Sequence, residues 1–403
     1  MPYYNFFSGA GLVEIGLSPA WTCRWAIDWD EKKTRLYRAW FGDDGLHEGD
    51  VAAVRAADLP PGAVLSWASF PCQDLSLAGA QRGLTAPRSG AFWPFWKLMH
   101  DLHREGRRPP IVVLENVAGL LAGDAFAGAA EALAALQMSF GALLVDARHF
   151  LPQSRPRVFL LAADDRLDVA SLADPDWRSK PWFPPRLQRA REELPAALAA
   201  RWIWWRLPPP PPPDTTLAAI VDRDDPPDAR LHSAEQTARL LSLMDDNHRR
   251  KCEAARERAR RGGERVIGML YKRTRAGRQR AEVRFDGCAG CLRTPAGGSS
   301  RQTVLIVRPD RTLSRLLSPR EAARLMGVPD AFPLPAVHND AYFAMGDAVA
   351  APAVAHLARH LLDPLAAACR AQAAALEGRP RLDRALVEKL LAKAQRWAAG
   401  RKP

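Results

Sequence analysis

The chain has 403 residues, 47% of them hydrophobic, which is enough for a sizeable core and far from a disordered composition. That length exceeds the usual domain of roughly 100–200 residues, so two domains are expected. The formal net charge of +12 points to a polyanionic partner, and residues 249–284 hold fourteen Lys or Arg against four Glu. Six cysteines (Cys23, Cys72, Cys252, Cys288, Cys291 and Cys369) follow no disulfide framework. No basic-then-apolar leader opens the chain, and no apolar run approaches the roughly 18 residues that span a bilayer. These features exclude a helical membrane protein and a disulfide scaffold. They predict a soluble cytoplasmic protein with reduced thiols.

Short apolar runs alternate with amphipathic segments over the first 165 residues. The predicted strands are 3–7, 22–27, 63–68, 111–115, 142–146 and 158–162. Helices are expected between them, at 12–17, 31–40, 92–105 and 125–136. This alternation implies an α/β fold on an open, mostly parallel sheet, which binds ligands beyond the carboxyl ends of its strands. The pattern breaks near Asp164, and Pro208–Pro213 is an uninterrupted proline run suited to an extended connector. A basic helical stretch is expected over 233–261. Ser318-Pro319-Arg320-Glu321 reads as a helix start, with a capping Ser, Pro at the first position and Glu three residues after the cap. The tail after Leu362 is Ala-rich, basic and expected to be helical.

The first strand is followed by Phe7-Ser8-Gly9-Ala10-Gly11, where glycines allow a tight turn and close approach to a ligand. Asp28 ends the second strand, about twenty residues on, where an acid can accept from ribose hydroxyls. Trp29 can stack on a purine, and Asp50 sits where a third strand would end. Together these predict a nucleoside-containing cofactor. The third glycine of the dinucleotide fingerprint is missing, which disfavours a nicotinamide or flavin enzyme. Cys72, in Ser69-Phe70-Pro71-Cys72-Gln73, lies just past the strand ending at Ala68. Glu115-Asn116 follows another strand, and Gln153-x-Arg155-x-Arg157 precedes a third. A cysteine, a carboxyl and two arginines converging on one cleft suit covalent chemistry on a ring. A single Cys288-x-x-Cys291 supplies only two ligands, and no metal is expected.

Over roughly residues 3–362 the chain resembles the cytosine-5 DNA methyltransferase family. The resemblance is carried, in the family's order, by Phe7-Ser-Gly-Ala-Gly11, Asp28-Trp29, Gly49-Asp50, Pro71-Cys72-Gln73, Arg88-Ser-Gly-Ala-Phe92, Glu115-Asn-Val117, Gln153-Ser-Arg-Pro-Arg157, Ser318 to Leu325, and Gly346-Asp-Ala-Val349. It implies a Rossmann-like S-adenosylmethionine-dependent domain (residues 1–165 and 330–365). A smaller, mixed, basic target-recognition domain (166–329) and a helical tail (366–403) complete the expected organisation.

The resemblance implies the following roles. Cys72 adds to carbon 6 of a cytosine rotated out of the duplex, Glu115 contacts ring nitrogen 3, and Asn116 shapes the loop that holds Cys72. Arg155 or Arg157 supplies fixed positive charge beside the thiolate. Phe7 to Gly11, Asp28, Trp29, Asp50, Pro71, Ala91, Asp347 and Ala348 surround the cofactor. Gln73, Ser76, Arg88 and Gln153 touch DNA near the opened site. Arg293, Ser299, Ser300, Arg301 and Gln302 are candidates for base readout, while Lys251, Arg256, Arg260 and Arg261 would meet phosphates. Asp347 stands where the family usually has Asn, and Ala91 where it often has Leu. The expected partner is double-stranded DNA, met by a monomeric bacterial enzyme that is either matched to a restriction endonuclease or an orphan. The nearest rival is a tRNA cytosine methyltransferase with the same fold. A non-catalytic DNA-binding relative is a further alternative, against which intact Cys72 and Glu115 argue.

Overall fold

In a computed structural model the described residues are 1–71, 89–275, 277–294, 301–377 and 383–400. They divide into two compact units. Unit 1 comprises residues 1–145, 156–210 and 353–403, and unit 2 comprises 146–155 and 211–352. One boundary falls between Pro210 and Pro211, inside the proline run.

Unit 1 is built on β1 (Pro2–Phe6), β2 (Thr22–Asp28), β3 (Leu46–Glu48), β4 (Leu65–Ala68), β5 (Ile111–Val117), β6 (Met138–Asp146) and β7 (Pro156–Asp164). They form one seven-stranded sheet in the order β3-β2-β1-β4-β5-β7-β6. β4 and most of β5 are buried without alternation, as expected for central strands covered on both faces. The exception to parallel pairing is β7, which runs antiparallel to β5. Strand order reverses at β1, whose neighbours are β2 and β4. The crevice beyond the carboxyl ends of β1 and β4 is therefore the switch point at which such sheets hold ligands.

Helices Leu12–Leu17, Glu31–Phe41, Phe92–Arg104 and Asp124–Ala135 connect these strands, within one residue of the ends read from the sequence. Residues 166–210 pack along β6: Leu144 N–H donates to Trp182 O at 2.9 Å and Ile203 N–H to Phe140 O at 2.7 Å. At Gly141 the Ile203 carbonyl comes so close that no side chain would fit. The chain after Leu362 forms helices Asp363–Ala371 and Arg384–Gly400, which bury Leu365, Cys369 and Leu390 in this unit. No helix of the described residues is long and apolar enough to cross a membrane.

Unit 2 holds β8 (Val266–Arg275), β9 (Arg278–Arg284), β10 (Thr303–Val307) and β11 (Thr312–Leu316), an antiparallel sheet in the order β11-β10-β8-β9. The basic stretch 233–261 is two helices, Ala234–Ser242 and Asp246–Gly262. Each starts at a capping residue, Ser233 or Asp245. The second helix buries Cys252, Ala255 and Ala259 against Leu270, Ala281, Val283, Leu305 and Val307. Helix Pro319–Arg324 has the expected capping box: Glu321 N–H donates to Ser318 Oγ at 3.1 Å and Ser318 N–H to Glu321 Oε2 at 2.8 Å. The same carboxylate accepts two bonds, at 2.6 and 2.7 Å, from Arg315, which is fully buried. Such a pair replaces the water both ions lose.

Candidate active site

The loop after β1 folds back on β2. Ser8 N–H donates to Ile27 O at 3.0 Å, Gly11 N–H to Ser8 O at 3.1 Å, and Gly9 N–H to Asp28 Oδ2 at 2.8 Å. Gly11 has φ of +83°, and a Cβ there would run into Phe41, so glycine is required both by conformation and by space. Asp28 is 8% exposed, and its other oxygen accepts from Asp30 N–H at 2.9 Å. Burial holds its carboxyl above the ordinary range, opposed by Lys33 and by these two amide bonds. Next to it Trp29 is 71% exposed, an open aromatic face beside an anchored acid. Ser8 Oγ is buried with no hydrogen-bond partner among the described residues. Asp50 follows β3 and caps a short 3-10 turn, accepting from Ala52 N–H at 2.9 Å. A polar atom awaiting a partner, a close-approach loop and an aromatic platform fit a nucleoside with a charged amino-acid portion.

One residue row aligns the strand ends. Phe6 lies opposite Ala68, and Ala68 opposite Leu114, so the chain leaves β1 and β4 side by side, with Glu115 next on β5. Pro71 is three residues beyond Ala68; Cys72, Gln73, Ser76 and Arg88 lie outside the described residues. Glu115 is 5% exposed, and Arg157 Nε lies 3.2 Å from its Oε1. The antiparallel course of β7 creates this pair, because it starts β7 at the end where β5 finishes. Asn116 Nδ2 donates to Phe70 O at 3.0 Å, and its Oδ1 accepts from Val117 N–H at 2.8 Å. Asn116 thereby ties β5 to the segment leading into Cys72. Ala91 is half-buried just before helix Phe92–Arg104.

Unit 2 uses its expected site residues differently. Arg155 is 1% exposed, and its guanidinium donates to Leu292 O at 2.7 Å, to Gly346 O at 2.8 Å and to Ala348 O. It joins the 291–294 stretch to the Gly346-Asp347-Ala348 block. Gly346 packs so closely on the Arg293–Thr294 backbone that a Cβ would come within 2.6 Å of it. Gln153, expected at the DNA, is fully buried instead: its Nε2 donates to Leu325 O at 2.6 Å and its Oε1 accepts from Leu292 N–H at 3.0 Å. Gln302, expected to read bases, is 1% exposed. It exchanges bonds of 2.7 and 3.2 Å with the backbone of Gly290. Both amides are committed to the protein's own backbone, so neither side chain is presented to a duplex. Arg293 and Asp347 are exposed, Arg301 is half-buried, and Ser299 and Ser300 lie outside the described residues.

Residues 1–363 match the family model for C-5 cytosine-specific DNA methylases. The chain belongs to this family. Among relatives, it is 25% identical to the type II methyltransferase M.NlaX of Neisseria lactamica over 90% of this chain and 96% of that one. Identity is 34% to M2.BsuMI of Bacillus subtilis over 45% of this chain. For that relative and others the matched part spans about half of their length, 42–52%. The structure of the Entamoeba histolytica methyltransferase EhMeth superposes with a TM-score of 0.60 at 13% identity, covering 91% of this chain and 98% of that one. That likeness speaks for the fold, which is the α/β methyltransferase architecture expected from the sequence.

In this member of the family, two buried polar groups behind the glycine loop, Asn5 and Glu14, are not among the residues that the sequence motifs single out. Glu14 Oε1 accepts from Asn5 Nδ2 at 2.7 Å, and both residues are buried. The available signal was a carboxyl on the otherwise apolar helix Leu12–Leu17.

Proposed function

We propose that this chain is a DNA cytosine-5 methyltransferase that uses S-adenosylmethionine and attacks its target base through Cys72. The observation that carries the proposal is the alignment in unit 1. The glycine loop after β1, the segment after β4 that ends at Pro71, and the Glu115–Arg157 pair all lie at the same end of the sheet. The aligned strand ends support a shared site for cofactor and base.

S-adenosylmethionine, when bound, supplies an electrophilic methyl on a sulfonium. The chain's own residues do the rest. Gly9, Gly11 and Ser8 receive the cofactor's amino-acid portion, Asp28 its ribose, and Trp29 and Asp50 its adenine. The Cys72 thiolate adds to carbon 6 of cytosine, and the electron pair of the ring double bond moves to carbon 5. Glu115, oriented by Arg157, meets ring nitrogen 3, where charge builds during addition. Carbon 5 would then take the methyl, the donor sulfur keeping the electron pair of the broken carbon–sulfur bond and departing as a neutral thioether; a base removes the carbon 5 proton, and the thiolate leaves as the double bond re-forms. The target must first leave the stack, at a cost of a few kcal/mol that protein–DNA contacts offset. Basic unit 2 supports double-stranded DNA as the substrate. A cognate endonuclease, action as a monomer and a cytoplasmic location belong to the same reading.

The test uses purified protein with methyl-labelled cofactor and either duplex DNA or tRNA. Label should enter cytosine of the duplex, and a 5-fluorocytosine duplex should become covalently attached at position 72. Cys72→Ala should abolish both while still binding cofactor. Transfer to tRNA alone, or no conjugate at position 72, overturns the proposal.

A further inference from the structure

The β8–β9 hairpin of unit 2 carries an arrangement that costs folding energy unless something compensates for it. Cross-strand register places Arg273 opposite Arg280 and Arg275 opposite Arg278. Side chains alternate between faces along a strand, so these four arginines share one face with Glu282, which lies opposite Tyr271. Like charges placed directly opposite each other destabilise a sheet. Glu282 answers two of them, accepting from Arg275 Nε at 2.7 Å and lying 3.2 Å from Arg273 Nε. Among the described residues, Arg278 and Arg280 form no ion pair. The side chains of Arg273 and Arg275 are 46% and 61% exposed, and Arg278 is also exposed.

The opposite face of the same strands is fully used. Leu270, Ala281 and Val283 pack on helix Asp246–Gly262. The basic residues of that helix therefore lie on the other side of the sheet from the arginine face. Several are already engaged within unit 2: Arg261 with Glu257 at 2.8 Å, and Arg256 with the Thr312 hydroxyl at 3.3 Å. One straight duplex cannot lie against both sides of this sheet at once.

We propose that the arginine face of the β8–β9 ribbon, rather than helix Asp246–Gly262, is the element of unit 2 that docks on duplex DNA. This rests on the function proposed above. The outer half of the ribbon, from Lys272 to the turn, is four residues per strand and extends roughly 14 Å at about 3.4 Å per residue. A two-stranded ribbon fits the major groove, roughly 12 Å wide and 8.5 Å deep. Phosphates on the groove walls neutralise the opposed guanidiniums, and guanine edges on its floor accept bidentate arginine bonds.

The test measures duplex binding by fluorescence anisotropy over a salt series, with cofactor present. In Arg278→Glu the new carboxylate faces Arg275 across the ribbon, so the hairpin is relieved of a repulsion and its melting temperature should not fall. Duplex affinity should nonetheless drop at least tenfold. In Arg278→Ala the slope of log K against log salt should become shallower by about one. Arg260→Glu, on the helix, should leave affinity within about twofold of the parent. The proposal fails if Arg278→Glu binds like the parent, if Arg260→Glu causes the larger loss, or if the loss appears with tRNA but not with duplex. Methyl transfer is assayed separately on the parent protein. A parent that binds duplex through this ribbon yet transfers no methyl group sinks the proposed reaction and leaves the docking face standing.

Discussion

The substitution Glu14→Gln should make the protein more stable at neutral and alkaline pH, although it removes a buried hydrogen-bonded carboxyl. Glu14 is 5% exposed, and burial raises its carboxyl from an ordinary 4.5 to about 7, opposed by the hydrogen bond from Asn5. One pKa unit corresponds to about 1.36 kcal/mol, so this shift links about 3 kcal/mol of stability to the proton. The folded state binds the proton more tightly than the unfolded state does. The stabilisation is therefore complete below pH 4.5 and disappears as pH rises through about 7. The glutamine amide would keep the shape and the acceptor for Asn5 but carries no charge to desolvate. Urea denaturation at pH 5, 6, 7 and 8 should give variant and parent similar midpoints at pH 5. By pH 8 the variant should lead by up to about 3 kcal/mol, with unchanged m-values. A difference that does not change with pH would refute the argument. A lead that grows toward acid would reverse its sign.

Arg155→Ala should destabilise unit 2 by about 3–5 kcal/mol, because the carbonyls of Leu292, Gly346 and Ala348 lose a shared charged donor in a buried setting. Arg155→Lys should recover less than half of this in denaturant midpoints, since an ammonium cannot span the same forked set. Asp28→Asn exchanges one of two acceptors for a donor facing Gly9 or Asp30 N–H, and should weaken S-adenosylmethionine binding about tenfold or more by calorimetry. Trp29→Ala should weaken it by a similar factor while leaving the melting temperature unchanged, because that ring is 71% exposed.

What could be read from the chain alone was local, or rested on ordered motifs. Ser318, Pro319 and Glu321 specify a helix start within four residues, and the structure closes that capping box. The glycine loop, Asp28 and the apolar runs of β4 and β5 likewise carry their conformational instructions within a few residues. The family, the sheet and the loop after β1 followed from these.

Tertiary structure decided how polar side chains are used. Gln153 and Gln302 have the right chemistry for DNA, yet their partners are backbone groups 172 and 12 residues away in sequence, reached only once loops of unit 2 collapse together. Arg155 meets Ala348 across 193 residues. The Glu115–Arg157 pair exists because β7 enters antiparallel beside β5, which no hydrophobic pattern encodes. The arginine face of β8–β9 likewise depends on cross-strand register. A pattern of residue types fixes which groups are on hand; burial and register decide whether each one faces a ligand or the protein itself, because a buried polar group must take the nearest partner that the folded chain supplies.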